Sequence, residues 1–213
     1  MAKLSEKKKK ALRRDKVLKH ANQKEPTFPS FIAGLESYSG NWNFQMAAHL
    51  LRRTTIGPTI EEINKSVEDG LEKTLEKLLD ENRINIDPPI NYQDDEDPET
   101  PLGSTWINAE KRKNDFRRRN SYSAWRVSQI LDTSRPISIR ENMVLFWQNH
   151  FATEATVIND ARYTYYMHEK FRNNFLGDFK QMVKAINVDP AMLIYLSGEY
   201  NVKEAPNENY ARE

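Results

Sequence analysis

The chain has no cysteine, which excludes disulfides, thiolate metal sites and cysteine nucleophiles. It also lacks any run of about eighteen apolar residues, the length that a membrane-spanning helix requires. No alternating apolar and polar stretch of useful length is present, so strands have little to build on and the expected fold is all-α. Charged residues make up 30% and apolar residues 38% of the sequence, with a mean hydropathy of −0.81. That balance suits one domain or two small ones, with part of the chain outside any core.

The net charge of +1 hides an asymmetry. Residues 1–24 hold ten Lys or Arg against Glu6 and Asp15, a net of +8, which leaves −7 for residues 25–213. Lys7 to Lys10 resemble the charged start of an export signal, but Ala11 to Lys24 supply no apolar stretch to follow it. Nothing here directs export, and localisation stays open. Such a leader can bind nucleic acid or an anionic membrane through counterion release. No aromatic is interleaved with its lysines, and Leu4, Leu12, Val17 and Leu18 make only a weak stripe, so it reads as a solvated tail. The acidic body argues against nucleic acid as a partner.

Residues 25–40 carry Pro26, Pro29, Gly34 and Gly40 and read as an irregular lead-in, with Phe28, Phe31 and Leu35 docking on the folded domain. That domain, helical in its patterning, is expected over 43–213. Asn43 caps a helix whose Phe44, Ala47, Ala48 and Leu51 share one face. Thr59 and Glu62 form a capping-box pattern that starts a second helix, interrupted at Gly70. The stretch 80–99 carries eight acids and one arginine, with Pro88, Pro89 and Pro98 blocking regular pairing, and predicts a mobile acidic loop over 80–104. Its Asp94 to Glu99 carboxylates lack the ligand spacing of a Ca²⁺ loop. From Glu110 to Arg119 the sign reverses, six basic residues against two acids, and the two segments are placed to attract each other. A helix read from Thr105 gains an apolar face at Tyr122, Trp125, Ile130 and Leu131, and the Arg117 to Arg119 run reads as a solvated face.

Ser138 and Glu141 give a second capping-box pattern ahead of RENMVLFWQNHFAT. In that helix Ile139, Met143, Phe146, Trp147 and Phe151 cover a wide apolar face, and Asn149 and His150 sit among them. Asp178 caps a later helix, and Asp189 with Pro190 starts another that Gly198 is expected to close in the left-handed conformation.

The segments AAHLLRRTTIGPT (47–59), RENMVLFWQNHFAT (140–153), LGDF (176–179), DPAMLIYLSG (189–198) and APNENYARE (205–213), in this order and spacing, resemble the bacterial family called domain of unknown function 1800. The resemblance runs from about Phe44 to the end of the sequence. It implies a larger helical protein, often exported, often encoded beside a second family similar to sulfatases. It brings no reaction to transfer. In relatives the NENYARE-like segment runs on into an apolar helix, so this chain is similar to the N-terminal portion only. An unfinished apolar surface near Trp147, Met192, Tyr195 and Tyr210 is then expected, to be covered by a missing C-terminal half or a protein partner. Gln148 departs from the His-Asn-His that family members often show. Two histidines at i and i+2 project to different sides of a helix, and no metal site is expected.

Among single residues His150 is the best candidate for chemistry, since an imidazole serves near neutral pH as acid or base. Its alternative is a core-edge histidine. Glu208 and Arg212, four apart, read as an intrahelical ion pair. Asn209 and Glu213 share the neighbouring face, and a site facing His150 would use them, while Asn207 reads as a helix cap. Arg52 and Arg53 can reach that segment across the core or simply complement a helix C-terminus. His49 is expected to be packed, His168 to sit at the core edge, and His20 lies in the tail. Three functions are open. One is a binding or assembly module with a polar site near His150 and NENYARE. The second is a hydrolase-like enzyme with His150 as acid or base, Glu208 or Glu213 as partner carboxylate, and Asn149 or Asn209 positioning substrate. The third is nucleic-acid or anionic-surface binding through the leader. The first is preferred, and any cofactor is left open.

Overall fold

A computed structural model describes residues 37–82, 86–94, 96–111 and 115–212, with the backbone alone at 209 and 211. The basic leader, His20, the lead-in phenylalanines and Glu213 lie outside these residues. The chain divides into units 1–41 and 42–213, and every described helix belongs to the second. The helices are α1 (Phe44–Thr54), α2 (Ile60–Leu78), α3 (Phe116–Leu131), α4 (Arg140–His150), α5 (Ala155–Ile158), α6 (Ala161–Asn173), α7 (Phe179–Asn187), α8 (Pro190–Tyr195) and α9 (Glu208–Arg212), with a 3₁₀ turn at Gly198–Tyr200. Among the described residues β-structure is limited to isolated bridges, and the fold is all-α.

The first two helices start where the capping residues predict. Asn43 accepts from the amides of Gln45 and Met46 at 3.0 and 3.2 Å. Thr59 and Glu62 exchange both bonds of a capping box, at 2.7 and 3.2 Å. Ala47, Ala48 and Leu51 of α1 pack against Ile63 and Leu78 of α2, while Trp42 donates to the Ser66 carbonyl at 3.0 Å. Gly70, at φ 81° and ψ 170°, kinks α2 in a backbone region that only glycine enters cheaply. Thr74 stands below the kink and donates to the Gly70 carbonyl at 2.7 Å.

The described part of the acidic stretch is irregular and is tied down at several points. Asn91 donates to the Asp94 and Thr100 carbonyls, both at 2.6 Å, and bridges the two sides of the loop. Two tryptophan indoles then strap it to α3. Trp106 is fully buried and donates to Ser121 Oγ at 2.9 Å, and Trp125 donates to the Asp87 carbonyl at 2.8 Å. The opposite charges of the two segments do meet. Asp97 takes three bonds from Arg118 at 2.8–3.2 Å, and Arg117 lies 3.7 Å from Asp94. Arg118 is therefore not solvated: its side chain and that of Asp97 are 3% and 1% exposed. Thr105 does not begin a helix either. Trp106 has to leave the loop sideways to fill the core, and α3 starts only at Phe116.

α6 is the central element, packed against α3, α4, α5, α7 and α8. One side meets Trp106, Tyr122 and Trp125 through Ala161 and Tyr165. Its other side meets Val144, Ile158, Met182, Ile186 and Met192 through Met167 and Phe171. At α4 the expected second capping box is not made, and the helix starts after Ile139 with no side-chain cap. Ser138 Oγ accepts from the Arg140 amide at 3.1 Å, but Glu141 turns to Arg172 of α6 at 2.6 Å, because a buried guanidinium attracts it more than a backbone amide does. At the end of α8 the left-handed residue is Ser197, with φ 56°, not Gly198. Gly198 is needed for a different reason: a Cβ there would stand 2.7 Å from the Tyr210 ring.

Candidate functional site

α4 is only weakly amphipathic, because apolar Leu145 and Phe146 lie on its exposed side while Arg140 lies on its buried one. Val144 and Arg140 are buried, whereas Leu145, Phe146, Asn149 and His150 are exposed. The 3.6-residue period places Phe146 and His150 one turn apart, and their rings stack at 11° with centroids 6.2 Å apart. Phe151, at the helix end, meets the His150 ring edge-on at 4.8 Å, and Phe179 at the start of α7 meets it at 6.1 Å. Trp147 joins them, its indole donating to the Phe175 carbonyl at 3.2 Å. His150 is thus an exposed imidazole framed by aromatic rings. Among the described residues no carboxylate forms a hydrogen bond or ion pair with it. Gln148 turns the other way, toward the buried Tyr122 hydroxyl. Positions 148 and 150 occupy different faces, as a spacing of two on a helix requires.

The Asn207 to Arg212 segment has its own anchor. Asn207 donates to the Leu196 and Ser197 carbonyls at 3.0 and 3.2 Å and accepts from the Tyr210 amide at 3.2 Å, so it closes α8 and opens α9 at once. Tyr210 donates to the Asn187 carbonyl. Glu208 and Arg212 lie 3.8 Å apart, both exposed, as an i,i+4 pair. The side chain of Asn209, and Glu213 altogether, are outside the described residues. His150 touches the first residue of α7 and Tyr210 the last, about 12 Å apart at 1.5 Å per residue, and no described contact joins the two segments.

Arg52 and Arg53 are exposed in the last turn of α1, where their charge complements the helix dipole. No described ion pair links them to 207–212. His49 is exposed rather than packed, because the buried stripe of α1 is completed by Ala47, Ala48 and Leu51. Of the surface expected near Trp147, Met192, Tyr195 and Tyr210, Met192 is buried in the core and the other three are half-buried. Of the aromatics that frame His150, the exposed ones are Phe146 and Phe179, at 53% and 52%.

Sequence reasoning missed a buried polar centre between α3, α4 and α6. His168 is 2% exposed, stands edge-on to Tyr122 and Trp125, and is bonded by Arg126. Burial, reinforced by Arg126 and Arg172, pushes its pKa well below the ordinary histidine value and keeps it neutral. Burial also raises the Tyr122 phenol. Arg140 and Arg172 are both buried, and burial lowers the pKa of each. Arg172 is compensated by Glu141 at 2.6 Å and Glu169 at 3.6 Å. A usable signal was the arginine spacing on α3, where Arg118, Tyr122, Trp125, Arg126 and Gln129 follow the helical period and are all buried. Among the described residues no cluster of three or more His, Asp or Glu has metal-binding geometry, and no helix is long and apolar enough to cross a membrane.

Comparisons with curated proteins and with solved structures return no match. The model of the family described as "Protein of unknown function (DUF1800)" matches residues 49–213, a span that runs from α1 through the buried polar centre to the NENYARE segment, and the chain belongs to that family.

Proposed function

We propose that the chain is a binding or assembly module that presents the aromatic face around His150 to a protein partner. The observation that carries this is the exposure of Phe146 and Phe179, 53% and 52%, on either side of the His150 ring. Leu145, Leu176 and Val183 extend the same part of the sequence with further exposed apolar groups. Large aromatics gathered at a surface, rather than scattered, mark protein interaction sites. Asn149 and His150 supply hydrogen-bonding groups on the same helix end, as an interface with an apolar centre and polar points requires. The partner is a polypeptide, either more of the same helical fold or a separate chain. A sulfatase-like protein, suggested by the family resemblance, is the first to try.

A photo-crosslinking residue at Phe146, in the full chain expressed in its native host, tests this against the same residue at exposed Glu72 of α2. Expected is a defined crosslinked polypeptide at Phe146 that is absent at Glu72 and lost on Phe179→Ser. The reading fails if both positions give the same products, or if Phe146→Ser destabilises the isolated chain as a core substitution would.

A further inference from the structure

A cavity of about 90 Å³ opens between the end of α1, the 132–138 turn, the start of α4 and α6. At about 10–15 Å³ for each water-sized probe it has room for a ligand of several heavy atoms. Gln129, Arg135, Ser138, Arg140, Glu141 and Arg172 line it, and Gln129 and Arg135 also line a broader neighbouring groove beside Trp125 and Pro88.

The polar atoms of this lining are incompletely used. Arg140 is 6% exposed; its Nη2 donates to the Asn82 carbonyl at 2.7 Å and its face lies 4.8 Å over the Phe175 ring, yet its Nε has no hydrogen-bond partner. Glu141, Asp80 and Glu169 offset part of its charge through space, but Nε itself is left without an acceptor. Buried charges are ordinarily paired, and buried polar atoms are bonded. The acceptors in the same wall are unfilled as well: Gln129 Oε1 and Glu141 Oε2 are buried without a donor. Arg135 pairs with Asp132 at 2.8 Å and does not fill these acceptors, and Glu62 accepts from the Thr59 amide at 2.7 Å rather than from Arg140 Nε. A lone anion would satisfy Arg140 and face the Gln129 and Glu141 oxygens unfavourably. A lone cation would do the reverse.

We propose that this cavity binds a small carboxylic acid that carries a hydrogen-bond donor beside its carboxylate, a short hydroxy acid or amino acid. The carboxylate pairs with Arg140 Nε, and the adjacent hydroxyl or ammonium donates to Gln129 Oε1 and Glu141 Oε2. This site is separate from the aromatic face around His150, so the two readings stand or fall independently.

Titration of the full chain with glycolate, glycine, acetate, glycinamide and inorganic phosphate, followed by calorimetry and amide chemical shifts, tests it. Glycolate or glycine is expected to bind and to shift the amides of Gln129, Arg140 and Glu141. Acetate lacks the donor and glycinamide lacks the carboxylate, and each is expected to bind about tenfold or more weakly, the loss of one charge-assisted bond. Arg140→Gln should abolish binding. Because Arg140 also holds Asn82 and Phe175, Gln129→Leu serves as the second variant and should weaken glycolate about tenfold while the unfolding transition stays cooperative. No response to any of the five compounds would overturn the proposal and leave water as the only occupant. Acetate or phosphate binding as tightly as glycolate, or unchanged glycolate binding in Gln129→Leu, would overturn it too.

Discussion

Replacing Arg118 with Met isolates the contact that holds the acidic loop to α3. The guanidinium and the Asp97 carboxylate share three bonds at 2.8, 3.0 and 3.2 Å, with side chains 3% and 1% exposed. Arg118 also donates to the Glu110 carbonyl at 2.7 Å. Removing one member of a buried pair leaves an uncompensated charge and costs about 3–5 kcal/mol. For a chain of this size that is a fall in Tm of roughly 6–20 °C. Burial pushes the Asp97 carboxyl up, but the Thr100 and Arg118 side chains and the Glu99 amide outweigh it and hold it below the ordinary 3.8. A depressed carboxylate contributes stability above its unfolded pKa and loses it as pH falls through the folded value. The wild-type advantage over Arg118→Met should therefore be full at neutral pH and shrink below about pH 4 as Asp97 protonates. Urea unfolding at neutral and acidic pH, monitored by tryptophan fluorescence, reads both effects, since Trp106 and Trp125 anchor the same loop. The double variant Asp97→Leu with Arg118→Met should cost at least about 1 kcal/mol less than the two single changes added together, as expected for partners in contact. Arg212→Met, which breaks the exposed pair with Glu208, is the surface control and should change nothing measurable. A loss under about 1 kcal/mol for Arg118→Met, or additive single changes, would refute the account of the loop as pinned by a buried pair.

Other outcomes rest on the same geometry. Gly198→Ala places a Cβ 2.7 Å from the Tyr210 ring and 3.0 Å from Leu193; it should cost about 1–3 kcal/mol and raise amide exchange in 207–212, and unchanged exchange there would count against it. Gly70→Ala puts a side chain at φ 81° and should lower stability by about 1–3 kcal/mol in thermal unfolding, whereas a neutral result would mean that α2 straightens without penalty. His168 is held neutral by burial and by Arg126 and Arg172, so the unfolded chain takes up the proton first. Stability should then fall as pH drops below the ordinary 6.5, by at most about 1.4 kcal/mol per pH unit, and His168→Gln should flatten that slope in urea titrations.

Local chemistry was legible in the sequence wherever a side chain and its partner lie within a turn of each other. The Asn43 and Asp178 caps, the Thr59–Glu62 box, the break at Gly70, the Asp189–Pro190 helix start and the Glu208–Arg212 pair each involve a separation of four residues or fewer, so spacing alone specifies them. The lack of any alternating stretch likewise pointed to the all-α fold, and the lack of cysteine excluded thiol chemistry. Tertiary structure decided what depends on distant partners. Glu141 abandons Ser138 because α6 brings Arg172 to it, and Gly198 serves the Tyr210 ring rather than a left-handed turn. The acidic loop is tied to α3 because Arg118, 21 residues beyond Asp97, is buried against it. The centre around His168, Arg126, Arg140 and Arg172 exists only once α3, α4 and α6 meet, since no one of these helices supplies both its charges and the walls that exclude water from them.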